Sequence, residues 1–361
     1  MLASLILEMP GKPVIAQVTI DDPKPDEVLV KVAACGLCHS DIHIINGALL
    51  GAVNAPAVIG HEVAGYVEKV GSAVTEFAVG DKVVGCTSRH CGHCQQCLEG
   101  FTQLCANRRN VQRDSPRLTY QGQEVAQGGG LAGFAEYLLV GEDALVKVAD
   151  EMPLDIAALL GCAVTAGAGA VIKAAKVNAG SIVAVFGAGG VGLSAIEAAR
   201  MSGARQIIAI DIAEDKLELA KRFGATDVVN GRNGDTVAQI RALTGGGVDF
   251  SFECIGLQQT MLESVEILKP GHDAYFVGVP GQNVTIPLPG ASLIMNGKGV
   301  KGVLMGSNNF KLDIPIMADL YLRGQFRLDE LIGERIPLSK LADAIERMES
   351  GAVARTVVVF D

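Results

Sequence analysis

Apolar and polar positions change rhythm along this 361-residue chain, and the change divides it. Near the start, Ile15 to Ile20 and Glu27 to Val32 alternate apolar with polar side chains, the period of strands that bury one face. Pro23 and Pro25 mark the loop between them. Val63 to Val70 and Lys82 to Val84 repeat the pattern, with Gly71-Ser72 and Val79-Gly80-Asp81 as turn residues. These stretches predict an antiparallel, barrel-like β domain. From Ala157 onward, short and continuously apolar runs alternate with helical ones. Ile182 to Phe186 reads as a buried parallel strand, Leu193 to Met201 as a helix, and Gln206 to Ile210 as the next strand. Helices over 213–223, 236–243 and 258–268 then alternate with strands over 227–229, 248–253 and 274–279. That order predicts a doubly wound parallel sheet in an α/β fold. From Asp313, two amphipathic helices and a last strand, Thr356 to Phe360, are expected to rejoin the β domain.

Composition narrows the classes. The length suits about two domains, and a hydrophobic share of 49% supplies a large core. A net charge of −10 without a basic stripe excludes nucleic acid as the expected partner. Met1 to Leu7 is apolar but lacks a basic start, and Glu8 ends it, so no leader is expected. Ile156 to Ile172 is short for a membrane span and diluted by Gly and Ala. The uncharged stretch 274–297 is broken by Pro280, Pro287 and Pro289. A soluble, cytoplasmic protein is the expectation. Nine cysteines in such a chain point to metal or catalysis more than to disulfides.

The densest local signal is Gly187-Ala188-Gly189-Gly190-Val191-Gly192, placed after one predicted strand and opening a helix. The first glycine allows a tight turn and the second lets backbone approach a pyrophosphate. The third lets helix and strand pack closely, and the helix N-terminus offers N–H groups to the phosphates. Asp211 ends the next strand, about twenty residues on, where a carboxylate accepts from ribose hydroxyls. It would repel a 2′-phosphate, and Ile212-Ala213-Glu214 supply no arginine, so NAD is expected over NADP. Lys216 is near enough to reach the same ribose, though a lysine on a helix is commonly just solvated.

Cysteines supply the second signal. Cys91, Cys94, Cys97 and Cys105 offer four thiolates in fifteen residues, a set that encloses zinc tetrahedrally with no position left for chemistry. His90 and His93 are then bystanders. Another constellation gathers Cys38, His39, Ser40, Asp41 and His43 with Gly60-His61-Glu62, and Cys162 stands alone further on. A catalytic zinc needs three protein ligands and one open position. Spacing does not decide which three, because Cys35 could pair with Cys38 and Cys162 could be a core thiol.

Over nearly its whole length the chain resembles the zinc-dependent medium-chain alcohol dehydrogenases, in particular their liver-enzyme-like branch. The resemblance rests on Gly60-His61-Glu62, the four-cysteine lobe, Gly161-Cys162, and the glycine fingerprint ending in Asp211. It implies a GroES-like catalytic domain over 1–163 and 305–361, with a zinc lobe near 86–110. A Rossmann domain over 164–304 would bind NAD, in a homodimer or homotetramer with two zinc ions per chain. Its catalytic zinc ligands would be Cys38, His61 and Cys162. Ser40 would take the substrate's proton, His43 would end the relay to solvent, Asp41 would orient His61, and Glu62 would stand behind the ion. His39 and Arg355 would contact the cofactor pyrophosphate, and Thr165, Val191, Val277 and Val279 would pack round the nicotinamide.

The same resemblance suggests Thr87, Phe134, Val279, Leu304 and Met305 as pocket lining, which favours primary aliphatic or aromatic alcohols and their aldehydes. A second branch of the family oxidises formaldehyde–thiol adducts. Arg109 and the run Val248 to Gly256 resemble that branch, whereas the loop Ala48 to Val53 lacks the acids it would need. The remaining alternative, an NAD-binding protein without turnover, predicts a broken set of zinc ligands, and Cys38, His61, Cys162, Ser40 and His43 are all present.

Overall fold

The computed structural model describes residues 1–47, 53–108, 116–281, 284–349 and 355–361. The chain forms two compact units, one of 1–163, 309–324 and 328–361, the other of 164–308 and 325–327.

In the first unit, two sheets carry the alternating segments. One runs in the order Val14–Gln17, Leu2–Ile6, Ala57–Val58, Gln123–Gln127, Leu118–Tyr120, Thr19–Ile20. The other is built round the ten-residue strand Glu27–Gly36. Glu62–Val70 lies antiparallel on one side of it; Tyr137–Gly141 and Thr356–Val359 share the other. The pairing is mostly antiparallel, as expected. Two pairs are parallel: Ala57–Val58 with Gln123–Gln127, and Glu334–Pro337 with Thr356–Val359. The strand Glu334–Pro337 was not foreseen, because its four residues are too few to establish a period. Val28, Val30, Val32, Val63, Val67 and Phe134 meet in the core between these strands. Burying each such side chain contributes roughly 1.5–3 kcal/mol.

The second unit holds a six-stranded parallel sheet in the order 227–230, 206–211, 182–186, 248–253, 268–276, 299–302. Every residue of Ile182–Phe186 is buried, which its unbroken apolar run required. The strand order reverses between this strand and Val248–Glu253, and doubly wound sheets bind ligands beyond the carboxyl ends at such a point. One expectation needs correction. The strand assigned to 274–279 is Leu268–Phe276, so Val277 and Val279 lie past its carboxyl end. The apolar stretch 156–172 is divided between the helices Leu154–Leu160 and Ala163–Ala175, with a 50° bend at the break. Among the described residues no single helix is long and apolar enough to cross a membrane.

Candidate catalytic and metal sites

Cys38 caps the helix His39–Ile45 directly after the central strand of the first unit. Its N–H donates to Asp41 Oδ2 at 3.0 Å, while His61 Nδ1 donates to Asp41 Oδ1, also at 3.0 Å. One buried carboxylate thereby ties the helix start to His61 and leaves Nε2 of that ring free to bind elsewhere. Gly60, just before, has φ +103, and a Cβ there would lie 2.7 Å from the Phe134 nitrogen, so glycine is required at the bend. Cys162 joins from the bend between helices. The sulfurs of Cys38 and Cys162, a His61 nitrogen and a Glu62 oxygen all lie within 4.8 Å of one another, and all four residues are buried.

The electrostatics of the group suit a cation. The hydrogen bond from Cys162, then His61, hold the Cys38 thiol well below its ordinary range despite burial. Cys162 is raised by that same bond and by burial. For His61, burial favours the neutral ring, but Asp41 outweighs it and the pKa rises. Burial pushes Glu62 up to about 7 although Arg355 opposes it. Glu62 Oε1 accepts from Arg355 at 2.9 Å; its Oε2 has no hydrogen-bond partner. Two sulfurs and an imidazole, with an orphaned carboxylate oxygen behind them, fit zinc.

Arg355, expected as a contact to cofactor phosphate, is 4% exposed and bonded to Leu37 O and to Glu62. It is the internal counter-charge of this site. Phe134, expected to line the substrate pocket, is 0% exposed, packs in the core, and its ring lies against the bend at Gly60. Thr87 is half-buried, and a Cβ at Gly129 would touch both Thr87 and His61. His39 is exposed on the first turn of its helix, and Ser40 and His43 are half-buried on the same helix. Arg109 and the loop 48–52 lie outside the described residues.

The second cysteine group also assembles. Cys94 Sγ lies 3.4 Å from Cys97 Sγ and 3.8 Å from Cys105 Sγ, and all four sulfurs fall within 4.8 Å. Main-chain N–H groups of Cys97 and Ala106 pull Cys94 down to about 6, the thiolate character a zinc ligand needs. His93 bonds to Cys91 O, and the His90 ring packs edge-on against Phe310.

In the second unit, Gly187 turns at φ +91 and Gly189 precedes the helix Gly190–Met201. A Cβ on Gly192 would sit 1.7 Å from Gly187 O, whereas one on Gly189 would meet nothing within 4 Å. The third glycine is thus demanded by packing and the second faces open space, as a phosphate cradle requires. Asp211 is 9% exposed; its Oδ2 accepts from Ala188 N at 2.8 Å. Lys216 is half-buried on the helix Glu214–Arg222. Thr165 is buried and Val191 half-buried. Val277 is half-buried, whereas Val279 is 49% exposed. Leu304 is exposed, and Met305 opens a turn with three successive positive φ angles, 49°, 66° and 52°.

Comparison with known proteins agrees with this geometry. Residues 24–150 match the alcohol dehydrogenase GroES-like domain and residues 190–320 the zinc-binding dehydrogenase family. Alcohol dehydrogenase class-3 of Drosophila melanogaster is 36% identical, the match covering 96% of this chain and 94% of that protein. Benzyl alcohol dehydrogenase from Acinetobacter calcoaceticus superposes with a TM-score of 0.92 at 34% identity, over 100% of this chain and 99% of that one. An alcohol dehydrogenase zinc-binding domain protein from Burkholderia ambifaria gives 0.94 at 35% identity, over 100% and 98%. The chain belongs to the zinc-dependent medium-chain alcohol dehydrogenase family. It is an oxidoreductase acting on small molecules, and the cofactors of its family are a catalytic zinc, a structural zinc and NAD.

Proposed function

We propose that this enzyme interconverts primary aliphatic or aromatic alcohols and their aldehydes with NAD, working as a homo-oligomer. The observation that carries the reading is the buried group of Cys38, His61 and Cys162 with Glu62 close behind. These three would hold the catalytic ion, and Cys91, Cys94, Cys97 and Cys105 the structural one. When bound, zinc supplies Lewis acidity to the alcohol oxygen, and NAD accepts the hydride. The chain does the rest. Asp41 fixes the His61 ring through Nδ1, so that its other nitrogen keeps one direction. Arg355 balances the buried Glu62 carboxylate. Ser40 receives the substrate's hydroxyl proton and His43 passes it to solvent; both are half-buried on one short helix. Asp211 selects NAD over NADP by accepting ribose hydroxyls and repelling a 2′-phosphate.

Support for an uncharged substrate comes from the benzyl alcohol dehydrogenase likeness. The test is NAD reduction by the zinc-replete enzyme with benzyl alcohol, ethanol, and formaldehyde with and without glutathione. Turnover of benzyl alcohol or ethanol is expected. Turnover that appears only when thiol and formaldehyde are combined would replace this reading with a thiol-adduct dehydrogenase.

A further inference from the structure

The carboxylate of Glu253 is 0% exposed, and the reaction described above does not use it. It ends the strand Val248–Glu253 at the carboxyl edge of the parallel sheet. Its Oε1 accepts from the N–H of Ile255 and of Gly256, each at 3.0 Å, and from the Thr260 hydroxyl at 2.7 Å. Oε2 accepts from Gly256 N–H at 3.1 Å. The carbonyl of the same residue takes the N–H groups of Val277 and Gly278, both at 2.8 Å. Burial raises the carboxyl pKa, although these donors oppose the rise.

What Glu253 holds in place is a close fit of three segments. A Cβ on Gly187, the first fingerprint glycine, would lie 2.7 Å from Ile255 Cγ1. One on Gly256, at φ +91, would lie 2.6 Å from Val279 O, and one on Gly278 would lie 2.4 Å from Gly256 N. The fingerprint turn, residues 255–256 and residues 277–279 follow three adjacent strands, at the edge where such sheets take their nucleotide. The carboxylate of this residue fixes residues 255–256, and its main-chain carbonyl fixes residues 277–278.

We propose that Glu253 is a positioning residue for the dinucleotide: without touching the cofactor, its carboxylate sets Ile255 against Gly187 and seats Gly256 against residues 278–279 at the binding edge. This rests on the NAD reading given above. Glutamine at 253 keeps the shape but turns an NH2 group toward the Gly256 N–H, which also faces Oε2 at 3.1 Å, so Gly256 must shift.

Zinc-replete wild type and Glu253→Gln are compared by NADH fluorescence titration, by KM for NAD against kcat, and by zinc content. Leaving buried donors poorly paired should raise both the NADH Kd and the KM for NAD about tenfold, with kcat at saturating NAD and zinc content nearly unchanged. A purely structural role would lower the melting temperature and leave Kd and KM where they were, which overturns the proposal. Combining Glu253→Gln with Ile255→Ala should weaken NADH little more than the worse single change, because both act through one contact. Fully multiplicative losses would also overturn it. Should Glu253→Gln fail to fold, Thr260→Val removes one donor alone and should raise Kd about threefold; an unchanged Kd there sinks the idea. Failure of the wild type itself to bind NADH would overturn the cofactor reading and this inference together. Normal wild-type binding with an unaffected variant removes this inference only.

Discussion

Asp211, the proposed selector of NAD, also serves the fold. Its Oδ1 accepts from Ile212 N at 2.7 Å and Ala213 N at 3.1 Å, while Oδ2 holds Ala188 N in the fingerprint turn. A carboxylate has about four lone-pair sites, so three main-chain bonds still leave capacity for a ribose hydroxyl. Asp211→Ala should therefore do two things at once. The ratio of kcat/KM with NAD to that with NADP should fall about tenfold or more, since the group repelling a 2′-phosphate is gone. Stability should fall by about 1–3 kcal/mol, because buried N–H groups lose their acceptor. Cofactor kinetics and a thermal melt check both; an unmoved ratio would show that selectivity resides elsewhere.

The helix Gly190–Met201 carries more than its glycines. Glu197 on it is fully buried and takes Arg200 Nη2 at 2.8 Å and Arg327 Nη2 at 3.0 Å, so the short segment 325–327 is pinned to the second unit. Burial pushes this carboxyl up, but the two guanidinium groups outweigh it and leave its pKa below the ordinary Glu value. With the folded value depressed, the stabilisation is present above the unfolded pKa near 4.3 and disappears as pH falls through the folded value. Glu197→Gln should cost about 1–2 kcal/mol at pH 7, the half-exposed arginines keeping it modest, and the gap to wild type should narrow toward pH 3.5. Urea midpoints at both pH values measure it.

Neither this bond nor the one between Arg355 and Glu62 was readable beforehand, for a shared reason. Their partners stand 130 and 293 residues apart, and no local pattern reports a pairing at that range. What was readable is local: strand alternation round Glu27, the buried run at Ile182, and the glycines whose spacing is itself the chemistry. Phe134 falls between the two cases. An aromatic ring suits a core or a pocket equally, and only its depth separates them.

At the scale of the whole molecule, the two metal groups differ in setting. The donors round His61 are all buried, whereas Cys91 and Cys94 are half-buried in a lobe whose Leu98, Phe101 and Leu104 are exposed. Such a lobe takes its folding energy from the ion. Cys97→Ser should reduce zinc from about two to about one per chain by metal analysis and lower the melting temperature by several degrees. Retention of both ions with unchanged stability would refute the structural role of the lobe.

The central strand Glu27–Gly36 receives its last neighbour, Thr356–Val359, only after the whole nucleotide-binding unit has been made. Synthesis runs from the N-terminus, and domains tend to fold as they emerge. The inserted unit can therefore mature while its host still waits, with a bare hydrogen-bonding edge at residues 34–36 and Glu62 lacking its arginine. The part of the enzyme begun first is the part completed last.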